Sequence, residues 1–173
     1  MDDVTVVFSD IVGSSEALEI LGDHGWLRIL RAHNALVRSC VADHGGTVVK
    51  TAGDGFLLLF RDPVTALRCA IAIELGVAEV AASLPEHPVA VRIGVHAGPV
   101  LRDDDDLVGK TVHVAARVMG HARAGEILAS DVVQDLTRGR GFAFGADQLV
   151  SLRGFGGTHR LVPVDWAAAA AHG

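Results

Sequence analysis

Thr47-Val48-Val49-Lys50-Thr51 and Phe56-Leu57-Leu58-Leu59-Phe60 flank the tetrapeptide Ala52-Gly53-Asp54-Gly55. Two β-forming runs around a glycine-bearing turn predict a hairpin. Upstream, Val4 to Ser9 is a short β-branched run that reads as a buried strand. Ser14 or Ser15 stands where a first helix would be capped, and a long helical pattern then runs from about Asp23 through Trp26, Ile29, Leu30, Leu36 and Val37 to Val41. His44-Gly45-Gly46 stops it. Downstream, a helix is expected from Asp62-Pro63 to about Leu84, since proline suits the first helical position. Val89 to His96 is the next strand, ending at Gly98-Pro99.

The order strand, helix, strand, strand, helix, strand is the ferredoxin-like βαββαβ arrangement. The expected fold class is therefore α+β, an α/β sandwich with C-terminal helix and strand additions. Those additions are an acidic loop from Arg102 to Asp106, a helix from about Val108 to Met119, a strand at Glu126 to Ala129, a short helix from Ser130 and two strands before Val164. In this topology the first and second strands run the same way. Asp10, at the end of the first, and Asp54, in the turn after the second, then reach one sheet edge.

Composition narrows the class. At 173 residues and 50% apolar content the chain can bury one sizeable core. One domain is expected over residues 1–165, followed by an alanine-rich tail, 166–173, with no partner pattern and an expectation of fraying. A formal charge of −6 with scattered cations argues against a nucleic-acid surface. Cys40 and Cys69 lie in apolar helical patterns and read as core residues of a reducing compartment. No charged leader followed by an apolar run and no membrane-spanning stretch is evident, so a soluble cytoplasmic chain is expected.

Each chemical feature is weak taken separately. Asp-Gly at a hairpin tip is far more often turn chemistry than a ligand. Asp10 can cap the next helix, Asp103 to Asp106 can be a solvated loop, and Arg117 can lie on a wet helix face. Two carboxylates at one edge are harder to dismiss, because unpaired like charges repel and persist where a cation neutralises them. Magnesium suits one or two carboxylates and completes its shell with water and phosphate oxygens. Val12-Gly13-Ser14-Ser15 at a helix start would present Gly13 and Ser14 backbone N–H groups to those phosphates.

At this point a resemblance enters, carried by Phe8-Ser9-Asp10-Ile11, Lys50-Thr51-Ala52-Gly53-Asp54-Gly55, Gly94-Val95-His96-Ala97-Gly98, Val108-Gly109-Lys110-Thr111-Val112-His113-Val114-Ala115-Ala116-Arg117 and Ala124-Gly125-Glu126-Ile127-Leu128. Together and in order they resemble the class III nucleotidyl cyclase catalytic domain, most nearly a bacterial adenylyl cyclase. The resemblance implies conversion of ATP to 3′,5′-cyclic AMP and pyrophosphate. It implies two magnesium or manganese ions on Asp10 and Asp54, assisted by the Ile11 carbonyl. Lys50 and Asp106 align with the adenine-reading pair, and Ala116 with a residue that leaves room for the base. Arg117 matches the arginine that stabilises charge on the α-phosphate, and Arg153 stands where the family usually has a phosphate-binding lysine. The family architecture implies a head-to-tail homodimer with two shared sites. In each, one chain supplies Asp10 and Asp54, and the other supplies Lys50, Asp106, His113, Arg117 and Arg153.

His113 departs from the pattern, because the family usually has a ribose-orienting asparagine there. A neutral imidazole still donates one hydrogen bond, whereas a protonated one adds charge beside ribose and phosphate. The alternative reading is a catalytically weakened cyclase-like module that binds nucleotide or a partner. A diguanylate cyclase is a third, disfavoured because Gly55 stands where that family needs a glutamate. His96 reads as structural, at a strand end.

Overall fold

The computed structural model describes residues 2–83 and 89–171. The first half contains β1 (Asp2–Ile11), α1 (Ser14–Asp43), β2 (Thr47–Ala52), β3 (Gly55–Phe60) and α2 (Pro63–Ser83). The second contains β4 (Val91–Asp103), β5 (Asp106–Val108), α3 (Lys110–His121), β6 (Ile127–Ser130), α4 (Asp131–Leu136), β7 (Gln148–Leu152), β8 (Phe155–Pro163) and α5 (Trp166–Ala171). The end expected for the second helix, Leu84, lies outside the described residues, as do His172 and Gly173 of the tail. Among the described residues no helix is long and apolar enough to cross a membrane.

The sheet runs β2-β3-β1-β4-β6-β8-β7, with β5 paired to β4 off this path. Its first four strands are the ferredoxin-like core, and β1 and β2 run parallel because each is antiparallel to β3. Alternation along the strands divides the core in two. Val7, Ile11, Val91, Ile93 and Val95 pack under α1 and α2, with Val37, Val41, Ile73 and Val77. Val4, Val6, Leu57, Leu59 and Val100 face the other way and meet Val112 and Ala115 of α3. The protein is an α+β fold with helices on both faces of one sheet.

Gly94 explains how α3 sits so close to β4. A Cβ there would stand 2.3 Å from the Met119 nitrogen and 2.6 Å from its Cα, both backbone atoms. Only glycine leaves room for that approach.

Local expectations change at the cap of α1, at the end of β4 and in the acidic segment. α1 starts at Ser14 with Gly13 at the capping position and no side-chain capping bond, so neither Ser14 nor Ser15 caps it. Gly22, at φ 72° and ψ 177°, breaks α1 into a short arm and the long segment expected from Asp23. β4 does not end at Gly98-Pro99 but continues to Asp103 against β1 and β5. By Pro99 the pairing with β6 has ended, and such a partly open position tolerates proline. The acidic segment is the β4–β5 hairpin, with Asp103 paired to Asp106 and Asp104 at φ 53° in the turn. The tail also has an anchor. The Trp166 indole donates to the Gly125 carbonyl at 2.7 Å, and α5 lies against α2.

Candidate active site

The register Ser9↔Phe56 places the end of β1 beside the β2–β3 turn. A Cβ on Gly55 would lie 3.9 Å from the Asp10 Cβ, a measure of how near the turn comes to that carboxylate. Asp10 and Asp54 line one cleft of about 230 Å³, together with Phe8, Lys50, Phe56 and Met119. The expected meeting of the two aspartates at one sheet edge is what the topology produces.

Their environments differ from the expected unpaired pair. Asp10 is held by Arg92, with Nε donating to Oδ1 at 2.7 Å and a terminal guanidinium nitrogen donating to Oδ2 at 3.0 Å. The reason is register, since Asp10 and Arg92 are direct partners across β1 and β4. Asp54 has the opposite character, with a buried Oδ2 that has no hydrogen-bond partner. Behind the cleft, His33 of α1 is 3% exposed and its ring lies 5.8 Å from Phe56. Burial lowers its pKa, against the opposing pull of the Asn34 hydrogen bond and the Asp54 and Asp10 charges. His33 is therefore neutral at pH 7.

Two carboxylates, one with an orphaned buried oxygen, form a hard donor set that suits a divalent cation. Among the described residues no group of three His, Cys, Asp or Glu side chains gathers anywhere. A cation here would complete its shell with backbone, water or phosphate oxygens. Ile11 ends β1 one residue beyond Asp10, and Gly13 and Ser14 open α1 just after it. Ser14 lines a neighbouring groove with Trp26, Leu30, Gly53 and Asp54, so the helix start and the hairpin tip share one end of the sheet.

Lys50 and Asp106 meet although 56 residues apart. The Lys50 ammonium donates to Asp106 Oδ2 at 2.9 Å, while Asp106 Oδ1 accepts from the Leu107 N–H at 2.8 Å. The Lys50 hydrogen bond holds the Asp106 carboxyl below the ordinary carboxylate range, with help from the Leu107 N–H. The two side chains are 52% and 47% exposed, so the pair faces solvent and is open to a ligand.

His113 and Arg117 lie one turn apart on the exposed face of α3, with Ala116 half-buried beside them. The Arg117 Nε donates to the Arg153 carbonyl at 3.2 Å, which joins α3 to the β7–β8 turn. None of His113, Arg117 and Arg153 lines the clefts that hold Asp10 and Asp54. Within one chain His113, Arg117 and Arg153 thus stand apart from Asp10 and Asp54, whereas Lys50 lines the same cleft as the two aspartates. His96 is structural, as expected. Its Nδ1 lies 2.7 Å from Ser130 Oγ, and burial pushes its pKa down to about 4.

Arg92 and His33 are the residues that the sequence reading missed. Arg92 interrupts an apolar strand, and His33 occupies the helical stripe of Ile29, Val37 and Cys40. A polar residue breaking an apolar period was the available signal in both cases.

The adenylate and guanylate cyclase catalytic domain model matches residues 1–162. The chain belongs to this family. A putative adenylate cyclase 3 of Rhizobium meliloti is 32% identical over 136 residues, covering 78% of this chain and 23% of that protein. The chain thus spans less than a quarter of that relative's length. Among solved structures, the adenylyl cyclase CyaB from P. aeruginosa superposes with a TM-score of 0.84 at 23% identity, covering 94% of this chain and 93% of the other. The guanylyl cyclase Cya2 superposes with a TM-score of 0.83 at 21% identity, covering 94% and 91%. Cyclases named for either base share this fold, so the backbone of the cyclase domain does not choose between them.

Proposed function

We propose that this cyclase domain converts ATP to 3′,5′-cyclic AMP and pyrophosphate. The observation that carries the base assignment is the exposed Lys50–Asp106 pair, an ammonium donor beside a carboxylate acceptor. Adenine presents a ring-nitrogen acceptor next to an amino donor, and this pair complements it. Guanine presents the opposite pattern.

In this reading Asp10 and Asp54, with the Ile11 carbonyl, hold two magnesium or manganese ions. When bound, such ions acidify the ribose 3′-hydroxyl and neutralise the triphosphate. Gly13 and Ser14 offer backbone N–H groups to phosphate oxygens at the start of α1. Arg117 and Arg153 stabilise the charge that builds on the phosphates, and Ala116 leaves space beside the base. The 3′-oxygen bonds to the α-phosphorus, the bond to the pyrophosphate oxygen breaks, and the hydroxyl proton leaves to solvent.

The separation of His113, Arg117 and Arg153 from the cleft of Asp10 and Asp54 supports a head-to-tail homodimer. Asp10 and Asp54 of one chain then meet Lys50, Asp106, His113, Arg117 and Arg153 of its partner. The test is the formation of cyclic AMP and cyclic GMP from ATP and GTP, with magnesium and then manganese. Preferential formation of cyclic GMP would refute the base assignment.

A second reading, a weakened cyclase-like module, is favoured by His113 on the exposed face of α3, at the position of the resemblance's asparagine. His113→Asn separates the two. A rise in turnover with little change in apparent ATP affinity identifies histidine as the limiting group. Equal or lower turnover shows that it is an adequate substitute.

A further inference from the structure

The fork of Arg92 on Asp10 concerns the same carboxylate that the proposed function gives to the metal, and this inference rests on that reading. Both Asp10 oxygens are engaged, at 2.7 and 3.0 Å, by a planar guanidinium with matching geometry. The contact is sheltered, with the Arg92 and Asp10 side chains 33% and 23% exposed. Asp54 also acts electrostatically on Arg92, so the cation is balanced against both carboxylates of the cleft. Asp54 Oδ2 is left without a partner. Two cations stand by the two carboxylates: Lys50 lines the cleft but is paired with Asp106, and Arg92 is paired with Asp10 itself.

We propose that Arg92 is a positioning residue that competes with the divalent cation for the Asp10 carboxylate. Metal affinity is then set by the exchange of one ion pair for another. Two consequences follow from the charges. A cation at Asp10 must displace the fork or share its oxygens against the repulsion of a fixed positive charge. Losing Arg92 also leaves Asp10 without its ion-pair partner beside Asp54, a repulsion that a divalent cation relieves more strongly. Removing Arg92 should therefore tighten metal binding, whereas loss of a residue needed only for folding would weaken it.

The test is a titration of the nucleotide-free full chain with Mn²⁺, following free Mn²⁺ by electron paramagnetic resonance. Wild type is compared with Arg92→Gln, Asp10→Asn, Asp54→Asn and the double variant Asp10→Asn/Arg92→Gln. Arg92→Gln should bind Mn²⁺ about tenfold more tightly than wild type. It should melt lower in chelator and gain more from added Mn²⁺. The gain in affinity should vanish in the double variant.

Mn²⁺ binding that neither aspartate substitution weakens would place the metal elsewhere and overturn the site assignment itself. Binding that both substitutions weaken, but that Arg92→Gln leaves unchanged or weaker, would overturn only the competition. Persistence of the gain in the double variant would do the same. Circular dichroism checks the fold of Arg92→Gln. If that variant does not fold, Arg92→Lys decides, because it keeps the charge and loses the fork. Severalfold tighter binding then supports the exchange, and equal or weaker binding overturns it.

Discussion

Glu74 lies in the middle of α2, 2% exposed, and its Oε1 has no hydrogen-bond partner. Burial pushes its carboxyl from 4.5 up to about 8, so in the folded chain it is protonated at pH 7. In the unfolded chain it ionises near 4.5. The folded state therefore holds one extra proton between these values, and the stability it confers is complete below about pH 4.5 and lost as pH rises towards 8. Between about pH 5.5 and pH 8, at about 1.4 kcal/mol per pH unit, the loss comes to about 3 kcal/mol. Glu74→Gln removes this slope, whatever constant cost the amide brings. Urea denaturation of both proteins at these two pH values should show the variant gaining about 3 kcal/mol on wild type at the higher pH. Parallel curves, within about 0.5 kcal/mol, would refute the claim that an unpaired carboxyl is buried here. The effect bears on function, because α2 packs against β1, β3 and β4, the strands that carry Asp10, Arg92 and one side of the hairpin.

Gly94→Ala drives a methyl group into the backbone at Met119 and should cost about 3 kcal/mol in thermal or urea melts, with activity falling as α3 shifts Arg117. Lys50→Glu sets two carboxylates where an ion pair stood and should sharply reduce cyclic AMP formation, while a small residue at Asp106 should begin to admit GTP. Unchanged ATP preference in the double variant would locate the base reader elsewhere. Asp54→Ala and Arg117→Ala should each be inactive alone, and an equal mixture should recover roughly a quarter of wild-type activity, since half the dimers are mixed with one intact site of two. No recovery after verified subunit exchange would mean that each site is built within one chain.

Much of the architecture was legible because its signals are local. Short β-forming runs mark β2 and β3 around Gly53-Asp54, and Pro63 and Gly45-Gly46 mark helix ends. The βαββαβ order alone brings Asp10 and Asp54 to one edge. The same local reasoning failed where an acidic run looked like a solvated loop. Asp103 and Asp106 are charged, yet they close the β4–β5 hairpin, because their place at its end leaves Asp103 exposed and Asp106 half-buried while Leu107 enters the core.

What the amino-acid order by itself determined, then, was the succession of elements, the sheet edge shared by two aspartates and the family to which their motifs belong. Which charges meet was decided by tertiary structure. Asp10 and Arg92 are 82 residues apart and become partners through the register of β1 on β4. Lys50 and Asp106 meet because β5 folds back along β4 towards β2. Asp54 keeps an unpartnered oxygen because the turn buries it without bringing a donor to it. Backbone periodicity is a property of neighbours along the chain, whereas an ion pair depends on a few ångströms between strands. Only the packed sheet sets that distance.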